Sequence, residues 1–309
     1  MKDSVTVQIS EGLGNQLFMY ANAYAFSKNY SKKLLIDDTS GYFRNKNKLR
    51  GQKYLLDYFN INNNLAPNNL KFDNFYKHIK KKILINIDNF KTKKSFLIES
   101  SLFNKSSKEI TGLKKFDNII FSDNVFLNGN FENQSYFINY KDDLINLFTI
   151  KDHFVKDNTK LMDQIQNSNS VSIHVRQNRF SDQNLIINNK NNIKKSNEFT
   201  DQTLSYIDRS INFFNSNFEN ITFFVWSNNF DNLESFFSKY NNKFIFIKNN
   251  DTINDFNLFK YSKHFIVSPS TYHWWGSWLN NNKGKVSTRP KNINPSNNKN
   301  FWPDEWIEI

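Results

Sequence analysis

Residues 170–288 alternate short apolar runs with helical stretches, and this limits the fold more than any other feature of the chain. SVSIHVR (170–176), ITFFVWS (221–227), FIFI (244–247) and HFIVS (264–268) read as strands. Helices are expected between and after them over 201–215, 231–240, 254–261 and 271–281, with a last short strand near Val286. Strands this apolar need cover on both faces, and their alternation with helices gives a parallel, doubly wound sheet. The opening repeats the pattern: strand 5–9, turn 10–14, helix from about 15 to 28, strand 33–37. A strand signal returns at 119–121, whereas the Asn/Lys-rich residues 60–120 show no clear pattern. With 309 residues there is room for two domains. The expected division is 1–150 and 151–309, with a long polar helix around 151–166 as the hinge region. The expected class is α/β, two Rossmann-like domains facing across a cleft.

Thirty-two Phe within a 17% aromatic content supply enough apolar surface for two cores, although abundant Asn and Lys keep the chain polar. The absence of Cys excludes disulfides and thiolate chemistry and suits a reducing compartment. Met1 leads almost at once into the first expected strand, so no signal peptide is expected. No run approaches the ~18 apolar residues of a membrane span. A cytoplasmic protein is expected.

The net charge of +12 favours anionic partners: nucleic acid, a nucleotide sugar or an acidic membrane surface. No nucleic-acid-binding signature is present. The segment YKHIKKKILI (76–85), read as a helix, puts Ile79 and Ile83 on one face with lysines around the rest. It is either a solvated surface helix or a contact with anionic membrane.

Ligands of doubly wound sheets bind at the carboxyl ends of the strands. Four distinctive segments stand there: SEGLGNQ after the first strand, then HVRQNRF, WSNN and SPSTYHWWGSW. Gly12 and Gly14 can take backbone angles closed to other residues and let a ligand approach a helix N-terminus, or they make a plain turn. Arg176 ends a strand where its planar fork could grip a phosphate, or it makes a structural ion pair. His174 points to the same side. Ser268, Ser270 and Thr271 could cap a helix or hold a phosphate. Asn228 and Asn229 could bond a base or a sugar, or make a turn. Trp274, Trp275 and Trp278 read as core. The five His show no zinc-type spacing, and no P-loop or Gly-x-Ser-x-Gly elbow occurs. Asp37 and Asp38 point to opposite faces of a strand, so no metal site is expected.

Taken in order, these segments resemble glycosyltransferase family 11, the α-1,2-fucosyltransferases. ISEGLGNQLFMYANAYA looks like the family's opening loop and helix. LLDYFNI, LNGNFENQSYF and FFVWSNN resemble later steps, and SIHVRQNRF is similar to its His-x-Arg-Arg motif. HFIVSPSTYHWWGSWL and the terminal PDEWIEI complete the match. The resemblance implies a GT-B-like fold, GDP-L-fucose as donor, inversion at the anomeric carbon and no metal or other cofactor. It maps the phosphate-binding arginine onto Arg176, the GDP-binding loop onto Gly12, Gly14 and Asn15, and the phosphate-side serine onto Ser270 or a neighbour. Catalytic roles are thus expected for Arg176, His174 and Asn15. Donor binding is expected for Gly12, Gly14, Gln16, Gln177, Arg179, Ser227, Asn228, Asn229, Ser268, Ser270 and Thr271. The first domain would hold the acceptor and the second the donor.

The chain departs from the family pattern at Gln177 for the second Arg, Asn178 for Gly, Arg179 for Asp, and Asn228-Asn229 for Asp-Asp. These changes admit another GDP-sugar donor. Asp182, Glu11 and His174 are candidates for the general base, and the leaving phosphate itself is another. The expected activity moves L-fucose to a galactoside hydroxyl of a surface glycan. A lipid-linked acceptor would give the basic segment a partner at the inner face of the membrane. A non-catalytic carbohydrate- or nucleotide-binding protein is the reading from a different class.

Overall fold

The computed structural model describes residues 3–43, 52–104, 109–110, 119–180, 190–248 and 251–309. The chain divides into two units, Met1–Thr149 with Ser296–Pro303 and Ile150–Pro295 with Asp304–Ile309.

The first unit is built on a four-stranded sheet of β1 (Ser4–Gln8), β2 (Lys33–Asp37), β3 (Lys94–Ile98) and β6 (Phe121–Asn128), parallel throughout, in the order β2-β1-β6-β3. A two-residue antiparallel ribbon, β4 (Phe103–Asn104) with β5 (Glu109–Ile110), stands apart. Helix α1 (Leu13–Asn29) connects β1 to β2. It is buried on nearly every side, as expected for a helix that is apolar all round. Phe18 lies against Phe137, and Phe301 of the returning C-terminal segment packs on the same ring. Helices α2 (Phe75–Asp88) and α3 (Lys141–Leu147) complete this unit.

The second unit carries a six-stranded parallel sheet ordered β12-β11-β10-β7-β8-β9. The strands are β7 (Asn169–Val175), β8 (Ile221–Ser227), β9 (Lys243–Ile247), β10 (His264–Ile266), β11 (Ser287–Arg289) and β12 (Ile307–Glu308). The helices are α4 (Thr159–Asn167), α5 (Lys190–Asn217), α6 (Leu233–Phe237), α7 (Thr252–Phe259) and α8 (Thr271–Trp278). Strand β7 presents different chemistry on its two faces. Val171, Ile173 and Val175 join a core with Tyr206, Ile207, Ile211 and Phe214 of α5. Ser170, Ser172 and His174 alternate with them and face the other way.

The sequence expectation and the structure differ in places. No long helix fills 151–166. A single 3-10 turn at Asp152–Phe154 precedes the nine-residue α4. The Asp157 carboxylate accepts from the Thr159 amide at 3.1 Å and its hydroxyl at 2.7 Å, a local turn that starts α4 afresh. Helix α5 is already formed at Lys190 rather than near 201, because Ile193 and Phe199 are the only apolar residues of its first turns, too few to show the 3.6-residue period. The tryptophans are core: Trp274 stacks on Trp278 at 5.8 Å, and both are buried with Trp275.

Candidate active site

In both sheets the chain runs outward on one side of a central strand and then returns to its other side. That reversal opens a crevice at the carboxyl ends where ligands settle in doubly wound folds. In the second unit it lies between β7 and β10, because β7-β8-β9 run one way and β10-β11-β12 the other. In the first unit it lies between β1 and β6.

Arg176 follows β7 directly and is exposed at the second unit's reversal point. The residues around it are tied to one another. The Gln177 amide N–H donates to Asn228 Oδ1 at 2.8 Å, and Asn228 Nδ2 donates back to the Gln177 carbonyl at 3.0 Å. Gln177 Nε2 donates to the carbonyls of Asn229 and Asp231. The Ser227 hydroxyl donates to the Val175 carbonyl at 2.7 Å. Asn229 accepts from the Asp231 amide through Oδ1 and donates to the Asp231 carboxylate through Nδ2, both at 2.9 Å. The β7 and β8 ends are therefore clasped together.

On the other side of the reversal, Ser270 is the N-cap of α8 and accepts from the Tyr272 amide at 3.3 Å. Thr271 opens the helix, half-buried. His273, which the sequence reading passed over, fixes the turn before it. Its Nδ1 accepts from the Ser268 amide at 3.3 Å, so Nε2 carries the proton and donates to Ser172 Oγ at 2.9 Å. The sequence signal lay in the alternation of Ser170, Ser172 and His174, a polar row on a buried strand that needs a polar partner on the facing helix.

His174 ends that row. Its ring is boxed by Phe259, Tyr272 and His273 at 5.6–5.8 Å between centroids. Burial, with the nearby Arg176 charge, drives its pKa down to about 3. The ring stays neutral near pH 7 and is a poor proton acceptor. His174 Nδ1, Trp226 Nε1 and Ser268 Oγ are buried with no hydrogen-bond partner among the described residues. Orphaned polar atoms of this kind are uncommon and gather where water or a ligand completes a site.

Arg179 reaches the same turn. Its Nη1 donates to the Pro269 carbonyl at 2.8 Å and its Nη2 to the Pro295 carbonyl at 3.2 Å, with the guanidinium 4.8 Å over the Phe199 ring. Arg179→Lys should therefore act on stability. Lysine keeps one of the two bonds, and the melting temperature should fall in line with a loss of about 1.5–3 kcal/mol. Turnover should stay within a few-fold. A loss of turnover beyond about tenfold at unchanged melting temperature would instead give the guanidinium a direct role with substrate.

In the first unit the loop after β1 differs from expectation. Gly12 has φ −82°, open to any residue, and the left-handed angle falls on Glu11, at φ 63°. Gly14 is the second residue of α1 and is buried. Among the described residues a side chain at Gly12 would approach only Gln52, at 4.0 Å. Gln16 is fully buried and clamps the loop: Nε2 donates to the carbonyls of Glu11 at 2.9 Å and Lys53 at 2.8 Å, and Oε1 accepts from the Leu55 amide at 2.9 Å. The Asn15 amide donates to the Glu11 carboxylate, and both side chains are half-buried. Asp182 lies outside the described residues. Among the described residues no group of three or more His, Asp or Glu side chains could hold a metal ion.

The pattern of Glycosyl transferase family 11 matches residues 4–309. The chain belongs to glycosyltransferase family 11. An Escherichia coli alpha-1,2-colitosyltransferase is 30% identical to this glycosyltransferase, with 99% of this chain and 98% of that one covered. The O-antigen biosynthesis glycosyltransferase WbnK of Escherichia coli is 23% identical, with 97% and 99% covered. Among solved structures, NodZ alpha-1,6-fucosyltransferase from Bradyrhizobium, soaked with GDP-fucose, is similar at a TM-score of 0.51 and 12% identity, over 90% of this chain and 93% of that one. A mutant of Arabidopsis thaliana FUT1 in complex with GDP gives a TM-score of 0.55 at 12% identity, over 94% and 71%. At these identities the likeness shows the fold, which is GT-B-like with two Rossmann-like units.

The glycosyltransferase's departures from the motif His-x-Arg-Arg-Gly-Asp-Tyr have local physical reasons. Asn178 stands where the motif has Gly and takes φ 56°, a region asparagine tolerates better than most side chains. Asn228 both accepts from and donates to the Gln177 backbone, and an aspartate could not donate. Asn229 donates to Asp231, where a second carboxylate would repel.

Proposed function

We propose that this chain transfers a 6-deoxy-L-sugar, L-fucose in the first instance, from its GDP donor to a galactoside hydroxyl in α-1,2 linkage with inversion. The observation that carries the proposal is the exposed Arg176 at the β7–β10 reversal, set between the clasped β7–β8 ends and the Ser270-capped start of α8. In the reaction the bond from sugar C1 to the β-phosphate oxygen breaks and its electron pair leaves with GDP. The acceptor oxygen bonds C1 from the opposite face and gives up its proton. Negative charge grows on the departing phosphate, and a positioned guanidinium and helix amides stabilise it without reorganising. Gly12 offers room for a ligand beside the first unit's loop. His174, neutral and boxed, is a poor candidate for the general base, which leaves Glu11, Asp182 and the leaving phosphate.

A second donor is favoured by one finding. The relative at 30% identity is named for colitose, which is fucose without its 3-hydroxyl. A pocket that bonds this hydroxyl rejects the deoxy sugar by about 10⁴-fold or more, whereas an apolar one barely separates the two.

The test is a donor panel of GDP-L-fucose, GDP-colitose, GDP-mannose and UDP-galactose, with a galactoside acceptor and excess EDTA, read as free nucleotide released. The expected result is release from the first or second donor at an undiminished rate. Loss of activity in EDTA with rescue by Mg²⁺ or Mn²⁺, or release only from UDP-galactose, would overturn the reading. No helix among the described residues is long and apolar enough to cross a membrane. Under this reading the enzyme works in the cytoplasm.

A further inference from the structure

Helix α2 is anchored to the first unit largely by polar residues, with Leu84 and Ile85 half-buried beside them. Asn74 caps it by accepting from the Lys77 amide at 3.0 Å. Lys77 pairs with Asp73 at 2.9 Å and donates to the Asn68 carbonyl at 3.1 Å. Lys81 is buried, donates to Gln8 Oε1 at 2.7 Å and lies 4.5 Å over the Phe126 ring. Asp88, also buried, accepts from the amides of Ser95 and Phe96 at 2.9–3.1 Å.

The remaining apolar residues of the helix, Phe75, Tyr76, Ile79, Ile83 and Ile87, are exposed. Tyr76, Ile79, Ile83, Ile87 and, just past the helix, Phe90 follow one another at intervals of three or four positions, which aligns them in one stripe. All are exposed: Tyr76 at 82%, Ile83 at 53% and Phe90 at 91%. At 100° per residue, Lys80 and Lys82 fall on opposite sides of the stripe. Lys91 and Lys93 follow its end, exposed as well. Of the run that the sequence offered as a basic patch, Lys77 and Lys81 are engaged inward, so the outward charge rests on Lys80 and Lys82.

A row of exposed apolar side chains this long marks a surface that another phase covers. We propose that helix α2 lies on an anionic lipid bilayer, with its stripe in the interface and Lys80, Lys82, Lys91 and Lys93 among the headgroups. Charge decides for lipid over a second copy of the chain. Cations border the stripe on both sides and the chain carries +12, so two copies meeting here would bring like charges together, whereas acidic headgroups neutralise them. Apolar residues between basic flanks are the pattern of helices that lie in the bilayer interface. The docking does not depend on which sugar is transferred, and GDP release with a free acceptor is a separate readout.

The test is co-sedimentation of the full chain with vesicles of phosphatidylcholine alone and of phosphatidylcholine and phosphatidylglycerol in equal parts. The expected result is pelleting with the anionic vesicles, weakened by salt, and none with the neutral ones. Ile79→Ser with Ile83→Ser should lower vesicle affinity at least about tenfold. Lys80→Gln with Lys82→Gln should lower it by roughly fivefold per lysine. Both pairs are solvent-facing, and unchanged circular dichroism shows that the fold is kept. Absence of pelleting, or pelleting that neither variant weakens, would overturn the proposal. So would a dimer in lipid-free solution that the isoleucine variant breaks, because a second copy would then cover the stripe.

Discussion

Arg176→Lys should lower turnover by about 10²–10³-fold, the range seen when one preorganised donor to a developing negative charge is removed. Lysine keeps the charge but loses the planar fork that can hold two phosphate oxygens at once. The melting temperature should barely move, since Arg176 is exposed beyond the end of β7 and outside the buried core. The clasp made by Gln177, Ser227, Asn228 and Asn229 does not use the Arg176 side chain, so it survives the substitution. Near-normal turnover with a marked loss of melting temperature would make Arg176 a structural residue and remove the main support for the proposed donor site.

Gly41→Ala should be nearly as damaging, for a steric reason. A methyl group at Gly41 would stand 2.1 Å from the Ile9 carbonyl oxygen and 2.4 Å from Ser10 Cβ. Both contacts are to the loop that follows β1, and the nearest is backbone, so no side chain can turn aside to make room. The loop must move by an ångström or more, carrying Glu11 and Asn15 with it. Overpacking of this kind costs about 1–3 kcal/mol of stability. Misplacing positioned groups by ~1 Å costs about 10²-fold in rate. Thermal denaturation and turnover measured on one preparation check both effects. Wild-type turnover in Gly41→Ala would mean that the Ile9–Gly12 loop plays no part in the reaction.

The sequence showed the fold where strands are apolar and bounded. Strands β2 and β8 lie where their patterns put them, and β7 is displaced by one residue. Strand β3 was not legible, because KSFLI sits inside an Asn/Lys-rich stretch and Leu97 alone of its five residues is fully buried. The C-terminal return of Ser296–Pro303 to the first unit depends on packing, as of Phe301 on Phe18, that no local pattern encodes. At the candidate site, the segments were legible but the use of each residue was not. Gln16 and Asn228 are polar residues beside expected ligand loops in sequence, yet their amides are occupied by backbone groups of the chain. Glycine 12 drew attention for its backbone freedom, while the left-handed residue is its neighbour Glu11. Partners 37 to 101 residues away, such as Lys53 for Gln16 and Ser172 for His273, decide these matters and cannot be read from spacing.

We propose that the donor diphosphate binds at the β7–β10 reversal of the second unit. Amide hydrogen exchange on the full chain, with and without saturating GDP, tests it most directly. GDP should slow exchange in the peptides covering residues 176–180, 227–229 and 268–273. Protection that leaves all three segments unchanged and appears elsewhere in the chain would contradict it.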